Sequence, residues 1–152
     1  MIMSEDYAAY ERKLAAMAQR EAELRPLNKA VLFEALAAAG IDRVMVNFDG
    51  CGDSGQIESI TAHDAEGAEI VLPEAMIELR TVRFEGAEVV VEQRSVADAI
   101  EIMSYAYLEG THDGWEVDDG AYGVFTFAVA ERTIGLEYNE RYTATTCSIH
   151  EF

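Results

Sequence analysis

The hydrophobic period of this chain changes near residue 41, and that change dictates helix first and sheet afterwards. Before it, Tyr7, Tyr10, Leu14, Met17 and Leu24 recur at steps of three and four, with Glu21 interrupting the series. Such spacing puts them on one face of an α-helix. Ser4, Glu5 and Asp6 read as its start, because a hydroxyl cap and early carboxylates suit the free N–H groups of a first turn. Arg25-Pro26 reads as a break, since proline disfavours helical geometry in the residue before it. A second helix is predicted over 27–39, with Leu27, Val31, Leu32, Ala35 and Leu36 apolar and Gly40 as its stop. The expectation is an N-terminal helical hairpin over 1–40.

From Asp42 the period is two. Val44, Val46 and Phe48 share one face of a predicted strand, Asp49 to Gly55 reads as a loop, and Gln56 to Ala62 as the returning strand. Shorter strands are predicted over 69–72, 76–84 and 87–93. Ser95 and Asp98 have capping-box spacing and open a helix whose apolar face is Val96, Ile100, Met103 and Tyr107, ending near Gly110. A second acidic, glycine-containing loop runs from Thr111 to Gly123. Phe125, Phe127 and Val129 then face Ile134, Leu136 and Tyr138 across a turn at Glu131-Arg132, and the tail from Thr143 to Phe152 reads as an edge strand. Segregated helices and antiparallel strands indicate an α+β fold: a hairpin-rich antiparallel sheet with one further helix packed on it. Residues 41–152 form its acidic α+β body, in a single domain overall.

Charge narrows the partners. The chain of 152 residues has 11 Lys and Arg against 29 Asp and Glu, a net charge of −18. Residues 1–40 hold five of the cations and six of the anions, so the remaining 112 carry −17. Both lysines, Lys13 and Lys29, lie in that first segment. Nucleic-acid binding relies on Lys and Arg displacing counterions, so direct binding of DNA or RNA is not expected. The same field attracts basic protein surfaces. No apolar run approaches the ~18 residues of a membrane span, and acidic residues stand where a signal peptide has its basic region. Cys51 and Cys147 make no disulfide framework, which fits a reducing cytoplasm.

Three motifs, NFDGCGDSGQIESI (Asn47–Ile60), THDGWEVDDGAYGVFTF (Thr111–Phe127) and LEYNERYT with the terminal SIHEF (Leu136–Thr143, Ser148–Phe152), together resemble an uncharacterised bacterial family. It is a domain of unknown function met on proteobacterial chromosomes, plasmids and phage-derived regions. The likeness spans roughly residues 27–152. Its members carry a Gly-Trp-Glu-Asn-Asn-Asp-Gly stretch, from which this chain departs at Val117 and Asp118. The resemblance implies a shared fold and a shared pair of acidic loops, with no activity to carry over.

The loops collect the candidate partner-binding residues Asp49, Asp53, Asp113, Trp115, Glu116, Asp118 and Asp119, joined by Glu140 and Arg141 near a strand end. Loops at the ends of regular elements are where binding groups are usually displayed. Trp115 is either an exposed interface anchor or the residue that closes the core under its loop. The alternative reading is a divalent-cation-binding or hydrolytic domain, whose ligands would come from Asp49, Asp53, Glu116, Asp118 and Asp119, because oxygen donors suit hard cations. Asp49-Gly-Cys-Gly-Asp53 lacks calcium-loop spacing, Asp53-Ser54-Gly55 lacks a nucleophile elbow, and His63, His112 and His150 are isolated. The leading expectation is therefore a non-enzymatic acidic interaction protein without cofactor. Its sharper form is a mobile-element-encoded inhibitor or nucleic-acid mimic. A homodimer through the Tyr7/Tyr10/Leu14/Met17 stripe is a further expectation.

Overall fold

The computed structural model describes residues 2–52, 54–83 and 88–152, with residues 2–4 described for their backbone alone. It opens with α1 (Ile2–Ala38), one continuous helix where a hairpin of two was expected. Ser4 accordingly lies inside the helix, and Pro26 is an interior residue. Proline lacks an N–H, so the carbonyl of Ala22 loses its rung. The helix continues because it is anchored on both sides of that lost rung: Leu24 is buried before it, and Leu32, Phe33 and Leu36 after it. The pre-proline preference is a local bias, and burial of these side chains outweighs it.

Gly40 ends α1 as expected, at φ +75°. Its N–H bonds the Ala37 carbonyl at 3.1 Å, and the Ile41 N–H reaches back to Leu36 at 3.0 Å. This is a Schellman ending, sealed by Ile41 and Leu36, both buried.

The sheet strands are β1 (Arg43–Cys51), β2 (Ser54–His63), β3 (Glu69–Ile70), β4 (Met76–Val82) and β5 (Val89–Ser95). Helix α2 (Val96–Thr111) follows, then β6 (Ala121–Ala128) and β7 (Thr133–Glu140). Five strands form one antiparallel sheet in the order β3-β2-β1-β6-β7, while β4 and β5 form a separate two-stranded ladder. The fold is α+β. The tail from residue 141 onward is without regular structure, so the expected edge strand does not form. Its apolar side chains Ile149 and Phe152 are exposed and meet no face that would bury them.

Val44, Val46, Phe48, Phe125 and Phe127 make the inner face of the large sheet. Against it lie the C-terminal half of α1, α2, and Ile77 and Leu79 of β4, all in one core; Phe33 approaches Phe127 at 6.3 Å between ring centroids. Ser95 caps α2 by accepting the Asp98 N–H at 3.1 Å. The sequence Ile57-Glu-Ser-Ile60 breaks strict alternation, and the register answers with a β-bulge: Asn47 opposes Ser59 while Phe48 opposes Ile57, so Glu58 is skipped. The Ile57 N–H beside the bulge donates to the Tyr105 hydroxyl of α2 at 2.9 Å.

One side chain adds a pair of hydrogen bonds to the packing of α1 on β4. Asn28 donates to the Arg80 carbonyl and accepts from the Arg80 N–H, both at 2.9 Å, imitating a neighbouring strand. Replacing Asn28 by Ala leaves both backbone groups without a protein partner, which costs about 1–3 kcal/mol when such groups are buried. Chemical denaturation of Asn28→Ala is expected to show a loss of that order, with α1 still helical by circular dichroism.

Candidate functional site

The two acidic segments meet at one end of the large sheet. Strand β1 pairs with β6 as far as Gly50 opposite Ala121, so the β1–β2 turn lies beside the segment that enters β6. The first segment is mostly strand: β1 runs to Cys51, β2 resumes at Ser54, and between them stand Gly52, at φ +59°, and Asp53, which lies outside the described residues. Most of the loop expected over 49–55 is thus strand, with Cys51 paired to Ser54.

Gly50 and Gly55 are cross-strand partners, and turn geometry does not explain them, because neither has positive φ. The six-membered ring of Trp115 does. A Cβ on Gly50 would lie 2.6 Å from Cζ3 of the indole, and one on Gly55 would be closer still. Trp115 is buried and meets Phe48 edge-on, with centroids 5.5 Å apart and an interplanar angle of 86°. Of its two expected roles it therefore fills the second, closing the core beneath the loop.

Further contacts stitch the segments. The Gly52 N–H donates to the Asp118 carbonyl at 3.1 Å, and Asp118 itself has φ +59°. Gly120, at φ +74°, presses on the Gly50 carbonyl so closely that no Cβ fits. The Arg141 N–H donates to the Gly120 carbonyl at 3.0 Å. Its guanidinium grips Asp49 through Nη1–Oδ1 at 3.0 Å and Nη2–Oδ2 at 3.1 Å, and Nη1 also donates to the Gly50 carbonyl at 3.2 Å. The same group lies 4.7 Å from the Tyr122 ring centroid. The hydrogen bond to Asp49 raises the Arg141 pKa further above its ordinary value. Thr143 donates to Oδ2 of Asp119 at 2.8 Å.

Asp113, Asp118, Asp119 and Glu140 are exposed here, Glu116 and Asp49 are half-buried, and Arg141 is the cation among the candidates. The stretches 47–59 and 111–123 contain no Lys or Arg. Burial first, and then the carboxylates of Glu140 and Glu116, push the Tyr138 hydroxyl above its ordinary pKa. His112 caps the end of α2, donating its N–H to Leu108 at 2.7 Å, and stacks on Tyr138 with centroids 3.6 Å apart. Among the described residues no three His, Cys, Asp or Glu side chains gather closely enough to share a metal ion. Asp49 and Asp119 face Arg141 and Thr143 instead.

Sequence reasoning missed Gly50, Gly55, Gly120, Tyr122 and Thr143. A signal for the first pair was present: a Gly-Asp turn at 52–53 makes positions 50 and 55 cross-strand neighbours. A glycine pair inside strands marks a close approach.

No helix among the described residues is long and apolar enough to cross a membrane. A model described as "Family of unknown function (DUF6878)" matches residues 24–152. No curated protein and no solved structure matches the chain.

Overpacking a filled site costs about 1–3 kcal/mol. Gly55→Ala is expected to lose stability of that order and to shift the emission of the single tryptophan, and denaturation followed by fluorescence checks both. Added Ca²⁺ or Mg²⁺ is expected to leave the melting temperature unchanged; a clear rise abolished by Asp53→Asn would instead establish a cation site.

Proposed function

The chain belongs to this family of unknown function, whose description names no activity, and on that premise we propose that it is a non-enzymatic interaction protein. Its partner is a protein with a basic surface, engaged by the acidic end of the large sheet. The supporting observation is that Asp113, Glu116, Asp118, Asp119 and Glu140 are carried on segments that meet at one end of the sheet, where Asp49 already balances the charge of Arg141. The backbone beneath them is held by the Trp115 wedge and the Arg141 contacts. A backbone already held loses little loop entropy on docking, which favours recognition of a complementary cationic surface. In its sharper form the protein is a mobile-element-encoded inhibitor that occupies a surface made for nucleic acid, with carboxylates standing in for phosphates. Trp115 supports this surface from below.

Interactions of exposed charges are screened over about 10 Å at 0.1 M salt. Capture from a lysate of the source organism is therefore expected to retain basic proteins at low salt and release them at high salt. A variant with Asp113, Asp118 and Asp119 changed to Asn and Glu116 and Glu140 to Gln is expected to lose them. Capture indifferent to salt and to these substitutions would contradict the proposal.

A further inference from the structure

The N-terminal half of α1 presents an apolar stripe that the body does not cover. Tyr7 is 63% exposed, Tyr10 49% and Leu14 40%, and Leu24 is the first of the buried core residues along the helix. The matched family region also begins at residue 24. Residues 5–24 therefore extend for about 30 Å along the helix axis, and helices in proteins draw most of their stability from packing an apolar face rather than from propensity.

The stripe has heptad order. Tyr7, Leu14 and Glu21 occupy a positions, and Tyr10, Met17 and Leu24 occupy d positions. The same seam continues as Asn28, Val31 and Ala35, where it packs on the body. The exposed half is thus an extension of a face already used for packing.

Charges beside the seam choose the occupant and its direction. Asp6, Lys13 and Arg20 hold g positions, and Glu11 and Arg25 hold e positions. A parallel pair in register would set Asp6 beside Glu11 and Arg20 beside Arg25 of the second copy, joining like charges. An antiparallel pair centred between Leu14 and Met17 sets Asp6 beside Arg20 and Glu11 beside Arg25. It also puts Glu21 opposite the hydroxyl of Tyr10. Among the described residues Arg20 has one ion pair, an exposed intrahelical contact with Glu23 at 3.7 Å, which is worth little.

The far end of this alignment is prepared for an acidic tip. A groove of about 520 Å³ beside α1 has Arg25, Lys29 and Arg132 on its rim. None of these three is in an ion pair with a described residue, in a chain with 29 carboxylate residues. Glu5 and Asp6 of an antiparallel second copy come level with Arg25. Two copies at −18 repel, and residues 1–40, with net −1, are where that repulsion is least.

We propose that the N-terminal half of α1 pairs antiparallel with the same segment of a second copy, its acidic first turn reaching the Arg25/Lys29 end of the other helix. The charge pairs make direction testable by the sign of one substitution. Sedimentation equilibrium of the full chain at low salt is expected to show a dimer. Asp6→Lys is expected to weaken it severalfold, by placing a new cation beside Arg20. In a parallel pair the same change would tighten the dimer, by placing Lys beside Glu11. Leu14→Asp is expected to give a monomer whose near-ultraviolet circular dichroism keeps the signal of the body. A monomeric parent chain, a dimer tightened by Asp6→Lys, or a dimer indifferent to Leu14→Asp would each overturn the proposal.

Discussion

One indole ring lying against two glycines organises the acidic end of this protein. A cross-strand glycine pair contributes no side chains to a ladder and weakens it. Here that emptiness at Gly50 and Gly55 is the space that Trp115 fills, with Phe48 meeting the ring from the core side. The contact joins β1 and β2 to a segment some sixty residues later in the chain. Once it is made, Gly120 can sit on the Gly50 carbonyl and Arg141 can reach both Asp49 and the backbone. The carboxylates on top thus inherit their positions from an apolar contact beneath them.

What the sequence revealed followed from local rules. Period-two alternation located β1, β6 and β7, Ser95 announced α2, and Gly40 announced the end of α1. Long-range packing decided the rest. Pro26 does not break α1, because Leu24 and Leu32 are buried on either side of it. Ile57 and Ile60 both face inward only because the bulge at Glu58 changes the phase, with Tyr105 bonded to the Ile57 amide beside it. Asp and Gly between residues 49 and 55 look like turn chemistry in any window that omits Trp115. The meeting of the two acidic segments depends on β1 pairing with β6, a matter of strand order, which periodicity does not encode.

The two ends of the molecule differ in electrostatic character. At the sheet end, carboxylates crowd over a braced backbone, and even the Tyr138 hydroxyl is harder to ionise. Along α1 the charges nearly balance, with five cations against six anions over residues 1–40. On the two proposals above, the sheet end would take a cationic partner and α1 a second copy of the chain. Pairing through α1 would leave the acidic sheet ends open, which gives an assembly with two docking surfaces and the gain in avidity that follows.

The indole locks both acidic segments as one unit. Native-state amide hydrogen exchange on the parent and on Trp115→Ala tests it most directly, following Gly52 N–H, which bonds Asp118, and Arg141 N–H, which bonds Gly120. Both amides are expected to be protected in the parent and to lose protection together in the variant, while the β1–β6 ladder around Val46 and Phe125 stays protected. Loss at one of the two amides alone, or at neither, would contradict it.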